Sequence, residues 1–214
     1  SLDSFLVPAP PQRKLPDEFP RTPDALYGYD AIILGDIEPG LLTEEIQEAL
    51  LEYTRSRGGT LVLVAGPAAM PSAWQGTALE ELMPVELLLP PPGRELGAQL
   101  ARNGAPLALT AAGEESEVCR LVPGRQRNTE LWELLPAPRW YYPLKGTASG
   151  SRLLATAGSE NAPALVSREV GAGKIFYSGI DSTWKWRLRF GDLLYRRFWG
   201  QVIRWAVSEQ LNAT

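Results

Sequence analysis

Tyr29-Asp30-Ala31-Ile32-Ile33-Leu34-Gly35-Asp36, then Thr43-Glu44-Glu45-Ile46, then Gly58-Gly59-Thr60-Leu61-Val62-Leu63-Val64 decide how this sequence folds. Ala31–Leu34 is a short apolar run ended by Gly-Asp, the pattern of a strand buried on both faces of a parallel sheet. Thr43 can cap a helix whose first turn is acidic, and Ile46, Ala49, Leu50 and Tyr53 fall on one helical stripe. Gly58-Gly59 stops that helix, which the spacing predicts over about 44–57. Leu61–Val64 is a second buried strand running into Ala65-Gly66-Pro67. The three segments form a β-α-β unit, for which a right-handed parallel crossover is the rule.

Outward from this unit the signals weaken. Residues 1–25 hold Pro8, Pro10, Pro11, Pro16, Pro20 and Pro23 and read as an extended arm with one short strand, Ser4 to Val7. Thr77 can cap a short helix through Leu82, and Val85–Leu89 reads as a strand. Residues 90–150 read as an irregular insertion, with a strand near Pro106–Thr110 and a short helix near Thr129–Leu135. Regular elements return with Arg152–Thr156, Ala164–Glu169 and Lys174–Ile180, the last two as an antiparallel hairpin about Gly171-Ala172-Gly173. A final helix covers about 192–208, with Leu194, Phe198, Val202 and Trp205 on one stripe. The expected division is an arm over 1–25, one α/β domain over 26–208 and a tail over 209–214.

The 214 residues are 44% hydrophobic and 21% charged, which fits one globular domain and excludes disorder or coiled coil. No stretch spans a bilayer. The chain has no histidine and one cysteine, Cys119. That removes the commonest general base, internal disulfides and cysteine-based zinc clusters. Net charge is −4, but Lys174–Trp205 holds seven basic residues against Asp181 and Asp192, leaving −9 elsewhere. A basic, aromatic tail therefore adjoins an acidic body. Core packing or a protein interface suits it better than nucleic acid does.

Candidate chemistry is sparse. Gly171-Ala172-Gly173-Lys174 lacks the upstream glycine of a phosphate loop and has Ile175 where Ser or Thr should hold magnesium, so it reads as a turn. Cys119 sits in Glu117-Val118-Cys119-Arg120, not on a strand-to-helix elbow, with no histidine to activate it. Asp36 and Glu38 follow one strand and Asp181, Ser182 and Thr183 another, and ligands bind at the carboxyl ends of strands in open α/β sheets. Trp184, Trp186 and Arg187 are expected to line the same crevice. These oxygens suit a polar ligand or a hard cation, while capping of nearby loops and pairing with arginines compete as explanations.

The strand motifs above, with Gly173-Lys174-Ile175-Phe176-Tyr177-Ser178-Gly179-Ile180-Asp181, resemble the class I glutamine amidotransferase-like fold. More narrowly, Asp181-Ser182-Thr183-Trp184-Lys185-Trp186-Arg187 and Arg197-Phe198-Trp199-Gly200-Gln201 resemble the C-terminal domain of uncharacterised bacterial membrane proteins of the aerotolerance, von Willebrand factor A-containing type. The resemblance implies a three-layer, mostly parallel flavodoxin-like sheet with an antiparallel edge hairpin. The family's nucleophilic cysteine and catalytic histidine have no counterpart at Ala65-Gly66-Pro67 and Gly179-Ile180-Asp181, so its glutaminase chemistry is excluded.

The resulting expectation is a catalytically inactive binding or scaffold module of a larger membrane-anchored bacterial protein, extracytoplasmic and without a cofactor or bound metal. Its partners would be other domains of the same polypeptide or another protein, with pairing of two copies through an exposed sheet edge. The alternative is a small-ligand, metal-binding or hydrolytic site on Asp36, Glu38 and Asp181.

Overall fold

A six-stranded sheet divides the molecule into two hydrophobic halves. The computed structural model describes residues 15, 19–88 and 106–212. Helix α1 (Pro23–Tyr27) leads into β1 (Ala31–Leu34), α2 (Glu44–Arg55) and β2 (Thr60–Val64), the β-α-β unit expected from the sequence. The middle contributes β3 (Val85–Leu87), β4 (Leu107–Leu109), α3 (Ala111–Glu115), α4 (Arg125–Leu134) and β5 (Leu144–Thr147). The chain closes with β6 (Ser151–Ala157), β7 (Ala162–Val170), β8 (Gly173–Ser178), α5 (Trp186–Phe190) and α6 (Asp192–Asn212).

Sheet order is β1-β2-β8-β7-β6-β4, with β3 and β5 forming a separate two-stranded ribbon. β1, β2 and β8 pair in parallel, whereas β8-β7, β7-β6 and β6-β4 are antiparallel. Four of the six strands thus run in one direction, which makes this a mixed α/β sheet with antiparallel additions. The expected edge hairpin is corrected in position: β8 lies inside the sheet between β2 and β7, and β6 and β4 extend the antiparallel half beyond it. Burial explains that placement. All of β8 and the first six residues of β7 are buried, as central strands require.

Alternation along the central strands sorts the core. Leu61, Leu63, Ile175 and Tyr177 point to the side covered by Ile46, Leu50 and Tyr53 of α2. Val62 and Phe176 point to the other side, under Trp186, Phe198 and Val202 of α5 and α6. Around Phe198 the ring centroids of Trp186, Trp199, Trp132 and Phe176 lie at 5.2, 5.4, 6.2 and 6.3 Å, mostly edge to face.

Several local expectations are corrected. The arm includes α1, because Pro23 at the helix start gives up an N–H that has no helical partner anyway, and Thr22 caps the turn. The strand expected at Ser4–Val7 lies outside the described residues. α4 starts at Arg125, earlier than expected. α6 runs through Asn212, into the expected tail. β5 and α3 were not expected at all. Gly171-Ala172-Gly173 is a hairpin turn, with Gly171 at φ 61° and the Ala172 N–H donating to Arg55 O at 2.8 Å. Lys174, next in the chain, is 5% exposed and donates to Trp205 O and Ser208 Oγ, which removes it from any phosphate-loop role.

Candidate site at the strand ends

β1, β2 and β8 run parallel, so the loops that follow them lie along one edge of the sheet. Asp36 stands two residues beyond β1. Its carboxylate accepts hydrogen bonds from the backbone N–H groups of Ala68 (2.9 Å), Ala69 (2.6 Å) and Met70 (2.8 Å) in the loop after β2. The same loop is tied down by the Trp74 indole, which donates to Ile37 O at 2.8 Å. Gly66 is required where it stands: a Cβ there would lie 2.1 Å from the Asp36 side chain. Asp36 therefore joins two strand-end loops, and its oxygens are engaged by the protein's own backbone.

Asp181, three residues beyond β8, has a different environment. It is an exposed residue, yet crowding by its neighbours raises its pKa, with the nearby Trp140 indole opposing the rise and the Asp36 charge adding to it. Influence of one carboxylate on the other puts Asp36 and Asp181 in the same neighbourhood. The pKa of Lys185, four residues on, is lowered by burial and by Arg139, with Asp181 pulling the other way. Both groups are thus moved toward their neutral forms.

The remaining expected site residues scatter. Glu38 is exposed at the start of a single 3-10 turn, Pro39–Leu41. Thr183 is buried and its hydroxyl accepts from the Trp199 indole at 3.2 Å. Trp186 is 1% exposed, packed on Trp132 and Phe198, so its expected place in the crevice lining is corrected to the core. Arg187 turns away to pair with Asp192 at 2.5 Å. Trp184 is 48% exposed, and Ser182 is buried with a hydroxyl that has no hydrogen-bond partner. Among the described residues no group of three or more Cys, Asp or Glu could hold a metal ion. Cys119 is buried beneath α4, and burial pushes its thiol up to about 12, which leaves no thiolate for nucleophilic chemistry at neutral pH.

Sequence reasoning missed Trp140 and Tyr142, which lie in the span read as an irregular insertion. The Tyr142 N–H reaches Gly179 O at 3.4 Å, laying residues 140–142 beside the chain from Gly179 to Asp181. Next to them a cavity of 330 Å³ is lined by Tyr141, Lys145, Glu160, Asn161 and Pro163 among others. It opens beside the start of β7, which antiparallel pairing sets against the end of β8. No local pattern marks these residues, because only the long-range path of the chain brings them to the strand ends.

Asp181 makes a pH test direct. A carboxyl whose folded pKa exceeds its unfolded value binds more protons in the native state between the two values, so stability falls as pH rises through that window. Asp181→Asn is expected to raise the melting temperature near neutral pH, with the gain shrinking toward zero at pH 4. Paired melting curves from pH 4 to 8 check this; a gain that grows on acidification would refute the burial of the charged form.

The sequence matches no family model, and no curated protein matches it. Solved structures do match. The cytoplasmic protein STM3548 from Salmonella typhimurium is 20% identical, with a TM-score of 0.64 over 87% of this chain and 75% of that one. The cytoplasmic protein STM1381 from Salmonella typhimurium LT2 is 21% identical, with a TM-score of 0.60 over 86% and 74%. At this identity the likeness is one of fold. It corrects the expected kinship with amidotransferase-like domains of membrane proteins, since both neighbours are described as cytoplasmic proteins and neither as an amidotransferase. The shared strand motifs are those that any buried parallel strand followed by a tight turn needs, which is why they misdirected the assignment. No helix among the described residues is long and apolar enough to cross a membrane.

Proposed function

We propose that this chain is a binding domain without catalytic activity, and that it takes a small polar ligand at the carboxyl ends of β1, β2 and β8 with Asp181 as the main acceptor. The observation that carries this reading is the Asp181 group. An exposed carboxylate whose pKa is raised by crowding, at the end of a central strand and near an indole, is placed to accept from a ligand. The absence of histidine and the unreactive thiol support binding over hydrolysis. The parallel strands with α2 on one face and α6 on the other support a flavodoxin-like three-layer reading of this half, in which strand ends are the usual ligand position.

The direct test is a thermal-shift panel of glutamine, sugars, nucleotides and divalent cations on the native chain and on Asp181→Ala. A ligand at a hundredfold excess over its dissociation constant adds about 2.7 kcal/mol to native stability. A shift seen with the native chain and lost in the variant is expected. A shift that survives Asp181→Ala, or none with any compound, would overturn the assignment of the site.

A further inference from the structure

A second surface is independent of the strand-end site. Trp184, Leu188, Leu193 and Leu134 are 48%, 79%, 63% and 53% exposed. They come from the 3-10 turn before α5, from α5, from the start of α6 and from the end of α4. Two hydrogen bonds hold these elements together: Arg189 Nη1 donates to Leu134 O at 3.1 Å, and Arg187 Nε to Asp192 Oδ1 at 2.5 Å. Gly191, at φ 64°, makes the turn between α5 and α6. The core takes Trp186 and Phe198 from the same segments, so the exposed side chains are not residues that packing failed to reach.

Basic residues accompany this apolar group. Arg187, Arg189 and Arg196 lie in the segment 182–197, where Asp192 is the sole carboxylate, and Glu133 precedes Leu134 on α4. Asp192 is shared by Arg187 and by Arg196 at 3.4 Å, so one negative charge serves two guanidinium groups. The rest of the chain is net negative, so the excess here is local. Exposed large apolar side chains accompanied by arginines mark a binding surface, and arginine's planar fork suits carboxylates.

We infer that this face docks an acidic amphipathic segment of a partner protein, its carboxylates meeting Arg187, Arg189 and Arg196 and its apolar side chains covering Leu188, Leu193, Leu134 and Trp184. Charge complementarity selects this occupant. A protein segment is favoured over a lipid surface because the Asp192 carboxylate sits between the two arginines, where a sheet of anionic headgroups would press against it but a peptide can place its own charges around it.

The probe is a fluorescein-labelled peptide of about eighteen residues, glutamate-rich with leucine and phenylalanine on one helical stripe. Its scrambled isomer keeps the composition and loses the stripe. Fluorescence anisotropy with the whole chain is expected to show saturable binding of the striped peptide, at least about tenfold weaker for the isomer and weakening with salt. Leu188→Asp, at a position too exposed to matter for folding, is expected to abolish binding, and Arg189→Glu to weaken it about tenfold. Unchanged circular dichroism and melting temperature for both variants control for folding. Equal binding of the two peptides, or no binding of either, overturns the inference. So does a Leu188-dependent response to phosphatidylserine vesicles without peptide binding, or Leu188-dependent self-association in sedimentation, each of which assigns the face to a different occupant.

Discussion

Phe198→Ala is expected to lower the free energy of unfolding by about 3–5 kcal/mol. The ring is fully buried and sits among Trp132, Phe176, Trp186 and Trp199, four aromatic neighbours contributed by α4, β8, α5 and α6. Truncation removes its transfer free energy and leaves a cavity whose walls are large, rigid rings that collapse poorly. Domains of this kind are stable by about 5–15 kcal/mol, so the loss is a large fraction of the total. Urea denaturation followed by tryptophan fluorescence measures it through the midpoint, at unchanged slope. A loss below about 1 kcal/mol would mean that the aromatic cluster does not carry the α6 side of the core.

Asp36→Ala is the second large effect, and its sign separates a structural role from a ligand-binding one. The substitution strands the backbone N–H groups of Ala69 and Met70, both in buried residues, along with that of Ala68. A buried donor left without its charged acceptor costs about 1–3 kcal/mol, so a total near 3 kcal/mol is expected. Asp36→Asn keeps a carbonyl oxygen for Ala69 and Met70, which share Oδ1, and is expected to lose about 1 kcal/mol. Chemical denaturation of the three proteins orders them native, Asn, Ala. If Asp36→Ala were as stable as the native chain, the carboxylate would have to serve a ligand and not the loop.

These two positions also mark how far the residues could be read in advance. The stripe that holds Phe198 follows from helical spacing alone, as does the α2 face from Ile46 to Tyr53. Asp36 and Asp181 were read as equivalent because both follow a strand. They are not equivalent: the loop after β2 folds back on Asp36 and consumes it, while β8 delivers Asp181 beside Trp140, a residue some forty positions upstream. Trp184 and Trp186 are both expected from the sequence to line the site, and only the fold separates them. Residues two apart in a helical turn diverge by about 200°, so Trp186 is core and Trp184 exposed.

Sequence by itself determined the β-α-β unit, the α2 and α6 stripes, the glycine turn at 171–173 and the absence of histidine. Each is a matter of residue identity or of periodicity within one element, where the physics is local. Tertiary structure alone decided that β8 is central, that the sheet's second half is antiparallel, that Asp36 is a loop clamp, and that Asp181 lies near Trp140. Those outcomes depend on which strand ends and loops meet across long stretches of chain, and pairing between distant segments leaves no periodic trace in the segments themselves.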